Sequence, residues 1–275
     1  ADTSIAAGEA LIINQRLEGF NLQSLKASST STRAFTVSFY AKSNASRAIA
    51  SEITFTNGTN KQISKLHTIG TSWARYTMTV PAASSTQIDN DNSHEGDLNL
   101  WIHAGSTYTG GTINDDALDS FTNANRAVGI GSIFASTDNT LEITGLQVEL
   151  GSVATPFEHR SVGEELALCQ RYYQSRTGHQ GNWGSGLAYN TTSVQWVLTF
   201  PVEMRAAPAV TFTGTLQAND GSAVYNSSST SFLGSVVSTT SVEPYMAGFS
   251  SVTDNNPYII GSSATGSLLK IDSEL

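Results

Sequence analysis

The chain has 275 residues, 13% of them charged, and a net charge of −9. Such an acidic balance excludes a partner held mainly through phosphate contacts, and no apolar run reaches the roughly 18 residues that span a bilayer. The single cysteine, Cys169, excludes an intrachain disulfide and a cysteine-based zinc site. Ser and Thr make up about a quarter of the chain and Gly is frequent, so the composition predicts β-structure punctuated by polar turns. Residues 1–4 (ADTS) show no basic or apolar leader segment. The expectation is therefore no signal peptide and, because the chain opens on Ala1, a fragment or a processed chain.

Residues 1–155 read as short strands separated by turn-rich spacers, the pattern of a β-sandwich. Strands are predicted at 10–13, 33–42, 49–55, 72–80, 97–104 and 141–150. In 33–42, Phe35, Val37, Phe39 and Ala41 share one face, while Thr36, Ser38, Tyr40 and Lys42 share the other. Asp89 to Gly96 and Ser106 to Asn125 form polar loops, the second long enough to suggest function. Thr155-Pro156 ends this segment and opens a linker with a helix over 156–175. Ser161 and Glu164 have capping-box spacing, and Leu166, Cys169 and Tyr173 follow helical spacing, so the helix is predicted over 163–173. Residues 176–275 return to β-structure, with strands predicted at 194–200, 209–215, 232–238, 245–251, 258–262 and 268–272. There Trp196 shares a face with Val194, Leu198 and Phe200 and is assigned to the core.

Residues 143–152 (ITGLQVELGS), 154–160 (ATPFEHR) and 164–173 (EELALCQRYY) together resemble a string found in the distal part of tailed-bacteriophage tail-fibre proteins. Residues 15–19 (QRLEG) and 36–39 (TVSF), with Trp73, resemble the start of the same module, a jelly roll like a carbohydrate-binding module. Residues 200–208 (FPVEMRAAP) resemble the opening of the β-domain that follows, and 272–275 its final strand. The resemblance implies a mainly β fold: an N-terminal jelly-roll sandwich, one short linking helix and a sandwich-like β tip domain at the C-terminus. It also implies a homotrimeric, extracellular virion component that works with other tail proteins and attaches to a bacterial surface polysaccharide or lipopolysaccharide. The shared string marks a junction and carries no binding residue across.

No metalloprotease, hydrolase-elbow or phosphate-loop motif is present, and the five histidines (His67, His94, His103, His159, His179) lack metal-ligand spacing. Asp115, Asp116 and Asp119, or Asp89, Asp91, Glu95 and Asp97, are the clusters from which a glycosidase would draw its two carboxylates. The oxygen-rich run Asp89-Asn90-Asp91-Asn92 is also the candidate for structural calcium; no other cofactor is expected.

Glycan binding needs an aromatic ring for the apolar C–H face of a sugar and amides or carboxylates for its hydroxyls. Two regions qualify. On 97–104, Leu98, Leu100 and Ile102 fill one face and leave Asn99, Trp101 and His103 on the other, where Tyr40, Trp73 and Arg75 are expected to join them. The alternative for Trp101 is packing under a loop or against a neighbouring chain. In the C-terminal part, Trp183 sits between glycines, and Tyr189, Tyr225, Tyr245 and Tyr258 lie near Asn- and Ser-rich turns; their alternative is a trimer interface. The leading expectation is thus non-catalytic glycan recognition, without nucleic acid or membrane insertion. The competing ones are a polysaccharide depolymerase and a purely structural fibre protein. Leu166, Cys169, Tyr172 and Tyr173 are expected to pack at the junction, with Cys169 a small buried hydrophobe. Replacing Tyr172 and Tyr173 with Ala should therefore lower oligomer mass or melting temperature; light scattering and a thermal melt check this.

Overall fold

Alternation of apolar and polar side chains builds the sheets. The computed structural model describes residues 1, 4–178, 181–232, 234–262 and 266–274. Asp2, Thr3, His179 and Leu275 of the sequence reading lie outside them. The chain divides into two units, Ala1–His159 and Arg160–Glu274.

The longer strands of the first unit are β1 (Ala10–Glu18), β2 (Phe35–Ser43), β3 (Arg47–Phe55), β4 (Lys61–Ile69), β5 (Ala74–Val80), β6 (His94–Ala104) and β7 (Leu141–Leu150). One antiparallel sheet runs β1-β6-β3-β4 and the other β7-β2-β5. Phe35, Val37, Phe39 and Ala41 of β2 point inward against Ile49, Ile53 and Phe55 of β3 and Leu98, Leu100 and Ile102 of β6, all buried. The unit is a β-sandwich, as the pattern predicts. Strand β4 escapes the sequence pattern because Lys65 and Leu66 interrupt its apolar residues. Its inward side chains are Ile63, His67 and Ile69, and Leu66 lies on the other face.

In the second unit a helix, Val162–Gln170, is followed by β8 (Tyr173–Gly178), β9 (Gly181–Asn190), β10 (Ser193–Trp196), β11 (Leu198–Thr199), β12 (Ala209–Thr213), β13 (Leu216–Asn219), β14 (Val224–Asn226), β15 (Gly234–Val237), β16 (Ser241–Met246), β17 (Pro257–Ser262) and β18 (Ser267–Asp272). A small sheet runs β8-β18-β12; a larger one runs β11-β16-β10-β9-β17-β13-β14, with β15 also on β16. Trp183, Val194, Trp196, Met246 and Ile260 of the larger sheet share one core with Phe212, Leu269 and Ile271 of the smaller. The helix has the expected capping box: Ser161 Oγ accepts from Glu164 N, and the Glu164 side chain accepts from Ser161 N. Within the single chain no residue of this helix is buried, and Cys169 is exposed.

His67 is a buried titrating group in the first core. Its Nε2 is hydrogen-bonded to Ser51 Oγ at 2.8 Å, and its ring meets Phe39 and Tyr76 edge-on at 5.4 and 5.8 Å. Burial lowers its pKa from 6.5 to about 4, with Lys65 adding to the effect and Asp115 opposing it. The unfolded chain takes up this proton near pH 6.5 but the folded chain only near pH 4, so stability is full above 6.5 and lost as pH falls through that window. Between pH 7 and 4.5 the wild type should lose about 2–3 kcal/mol more than a His67→Phe variant; urea melts at both pH values measure the difference.

Candidate functional site

Asn99, Trp101 and His103 do face away from the sandwich core, but a long loop covers them. At the centre is Glu52 of β3, 0% exposed. Arg126, from the loop, donates through Nε to Oε1 and through Nη2 to Oε2, each at 2.9 Å. Trp101 Nε1 donates to Oε2 at 2.8 Å and Asn99 Nδ2 to the same oxygen at 2.9 Å; Asn14 Nδ2 donates to Asn99 Oδ1 at 2.8 Å. The Arg126 guanidinium also stacks over Trp101 (4.6 Å) and Phe121 (4.9 Å), while Tyr108 stands 5.0 Å from Trp101. His103 Nδ1 is hydrogen-bonded to Ser132 Oγ at 2.8 Å and its ring meets Phe134 at 5.0 Å. All three predicted sugar contacts are buried and engaged within the protein, so this part of the site is corrected. An indole N–H and an amide suit a buried carboxylate as well as a sugar hydroxyl. Only the Glu52–Arg126 pair, 74 residues apart, distinguishes the two.

Tyr40 and Arg75 pair across β2 and β5, on the outer side of the other sheet, so they do not join Trp101 on one face. The Arg75 guanidinium lies 5.7 Å from the Tyr40 ring and Nη2 donates to Ser38 Oγ at 2.8 Å. Trp73 is 47% exposed, with Lys42 Nζ 5.2 Å from its ring.

The string at 143–158 has a structural explanation. Register with β2 shifts between Thr144 and Gln147, and Gly145 takes φ +59 with an added Cβ only 3.0 Å from the Tyr40 ring, so a side chain there is disfavoured. Thr155 donates from N (3.0 Å) and Oγ1 (2.5 Å) to Glu149, Gln147 Nε2 donates to Glu149 Oε1 (2.9 Å), and Glu158 N donates to Gln147 Oε1 (2.9 Å). These bonds hold the Glu149 carboxyl below its usual range against the opposing effect of burial, with Arg75 adding to them. They fold the 151–158 segment back along β7.

In the second unit Trp183 is 1% exposed and Tyr258 is buried, which corrects both as direct contacts. The glycines beside Trp183 are not turn residues. β9 shifts register between Asn182 and Gly184, and a Cβ at Gly184 would sit 2.8 Å from Trp196 Cδ1 and one at Gly186 2.5 Å from Trp196 Cβ; these two glycines make room for the neighbouring tryptophan. Tyr225 is half-buried and packs edge-on against Tyr258 at 5.7 Å.

Tyr189 and Tyr245 remain accessible. Leu187 of β9, Gln195 of β10 and Tyr245 of β16 stand in one cross-strand row on the outer face of the larger sheet. Alternation past the buried Ala188 points Tyr189 outward, 65% exposed, and its ring meets Tyr245 edge-on at 5.4 Å. Beside this row lies a cleft of about 440 Å³ lined by Ser185, Leu187, Tyr189, Gln195, Val197 and the exposed loop residues Asp254 and Asn255, among others. The loop is fixed by mutual backbone bonds, Asn255 N to Ala188 O and Ala188 N to Asn256 O, both 3.0 Å. From below, the Tyr258 hydroxyl accepts from Thr253 N at 2.9 Å, so Tyr258 braces the wall. Asn255 adopts φ +58, a strained conformation of the kind found at functional loops. Sequence reasoning missed Leu187, Gln195, Val197, Asp254 and Asn255; the inward assignment of Trp196 already implies that Gln195 and Val197 point out.

Among the described residues no group of three or more His, Cys, Asp or Glu is arranged to hold a metal ion. In the calcium candidate, Asn57 Nδ2 donates to Asp89 Oδ2 (2.9 Å) and Glu95 Oε2 (2.8 Å), and burial, Asp89 and Asp91 push Glu95 upward.

Arg126→Ala would leave the Glu52 carboxylate buried without its cation and should cost about 3–5 kcal/mol, with the 105–135 loop opened to protease; a urea melt and limited proteolysis check both effects. No family model matches the chain, and no curated protein sequence matches it.

Proposed function

We propose that this chain is the distal receptor-binding part of a tailed-phage tail fibre, an extracellular virion homotrimer that holds a bacterial surface polysaccharide or lipopolysaccharide without cleaving it. The observation that carries the glycan reading is Tyr189, exposed and set edge-on against Tyr245 beside a cleft lined by amide and carboxylate side chains. Tyr189 offers the ring and Gln195, Asn255 and Asp254 the hydrogen-bonding groups that a sugar requires. The fibre reading rests on the resemblance of residues 143–173, whose hydrogen bonds have a structural role. The unburied helix Val162–Gln170, with Leu166 and Leu168 about half exposed, supports a trimer in which neighbouring chains cover these residues. Retaining or inverting hydrolysis needs two carboxylates facing one sugar, and among the described residues Asp254 is the only carboxylate lining the cleft, which supports binding over depolymerisation.

Binding of the purified chain to a glycan array and to intact bacteria, after its mass is fixed by light scattering, tests the proposal. The expected species contains three chains of 29.1 kDa, and three weak sites gain avidity by acting together. Tyr189→Ala should weaken monovalent binding about tenfold, the loss of one aromatic contact, while changing stability by less than about 0.5 kcal/mol. Unchanged binding in that variant refutes the cleft, a monomer refutes the trimer, and reducing sugar released from host polysaccharide refutes the non-catalytic reading.

A further inference from the structure

On the glycan reading above, the chemistry of the cleft also narrows the class of sugar. From residue 181 to residue 262, the stretch that supplies the larger sheet and its loops, the sequence contains one basic residue, Arg205. Its guanidinium donates to the carbonyl oxygens of Ser273 and Glu274, at 2.8 and 3.3 Å, and it is not among the residues lining the cleft. Acidic groups are present on this side: Asp254 lines the cleft, and Glu243 stands two residues before Tyr245 on β16, on the same face by strand alternation. A uronate, sialate or phosphate entering the cleft would meet like charge and, among the described residues that line it, no cation. Arg176 of β8 reaches the same strands but donates to the carbonyl oxygens of Trp183 and Thr199. The polar groups on offer, Ser185, Gln195, Asn255 and the Tyr189 hydroxyl, are uncharged donors and acceptors of the kind that match hydroxyls and acetamides.

The apolar part of the cleft is just as selective. Leu187 and Val197, each about half exposed, line it together with Tyr189. A plain hexose presents an apolar ring face that Tyr189 alone would cover, and its periphery ends in hydroxyls. Branched aliphatic side chains beside that ring gain from a ligand methyl group, which leaves water on binding. We infer that the cleft takes an uncharged glycan through a methyl-bearing residue, a 6-deoxyhexose or an N-acetylhexosamine.

Four probes test this on the 275-residue chain by calorimetry: a rhamno-oligosaccharide, chitotetraose, maltotetraose and an oligogalacturonate. The rhamno-oligosaccharide or chitotetraose should bind about tenfold more tightly than maltotetraose, and which of the two wins tells the deoxy methyl from the acetyl methyl. The oligogalacturonate should be silent, and the winning affinity should change less than about twofold between roughly 20 and 300 mM salt. Tyr189→Ala should weaken the winning probe about tenfold. Preference for the oligogalacturonate, or parity of maltotetraose with the methyl-bearing probes, overturns the inference and leaves glycan binding standing. Silence on all four probes alongside Tyr189-dependent binding on the array also overturns it. Silence on both removes the glycan reading itself.

Discussion

A carboxylate without access to water must find its donors inside the protein, and Glu52 finds them in Arg126, Trp101 and Asn99. That requirement organises the first unit. It draws the loop after β6 across the sheet, fixes the indole and amide that strand alternation had turned outward, and converts an exposed polar face into a covered one. The other sheet carries the 151–158 segment, held by Glu149 and Gln147. With both outer faces carrying chain of their own, the first unit offers few free aromatic rings, Trp73 being the largest.

The second unit resolves the same alternation differently. Its inner face takes Trp183, Trp196 and Tyr258, and its outer face keeps Leu187, Gln195 and Tyr245 in a row that no described residue of this unit covers completely. Tyr258, buried, reaches the cleft only through the backbone it holds at Thr253. Of the tyrosines offered as sugar contacts from the sequence, Tyr189 lines the cleft, Tyr245 packs against Tyr189, and Tyr258 is a support and not a contact.

Much of the fold was legible because β-strands report their faces directly. The alternation of 33–42, the inward run Leu98, Leu100, Ile102 and the capping box at Ser161 all stand where the residues place them. The site was less legible because exposure depends on partners distant in sequence. Nothing near Trp101 announces that Arg126 will close over it, and nothing near Lys61–Ile69 explains that Leu66 faces Gly129 of the covering loop. Trp183 misled for a local reason. Glycines commonly mark turns, but in β9 they answer to the bulk of Trp196 on the next strand.

Strand β9 has one further consequence. Ala188 points into the interior while Leu187 and Tyr189 meet solvent, and on β10 Trp196 points in while Gln195 points out. The residues that keep the unit folded and those that present chemistry to the outside thus interleave along the same strands without sharing a side chain. Outward positions can be exchanged one by one while the interior stays packed. A surface of this kind can diversify its ligand through single substitutions, each tolerated by the fold, with no new loop required.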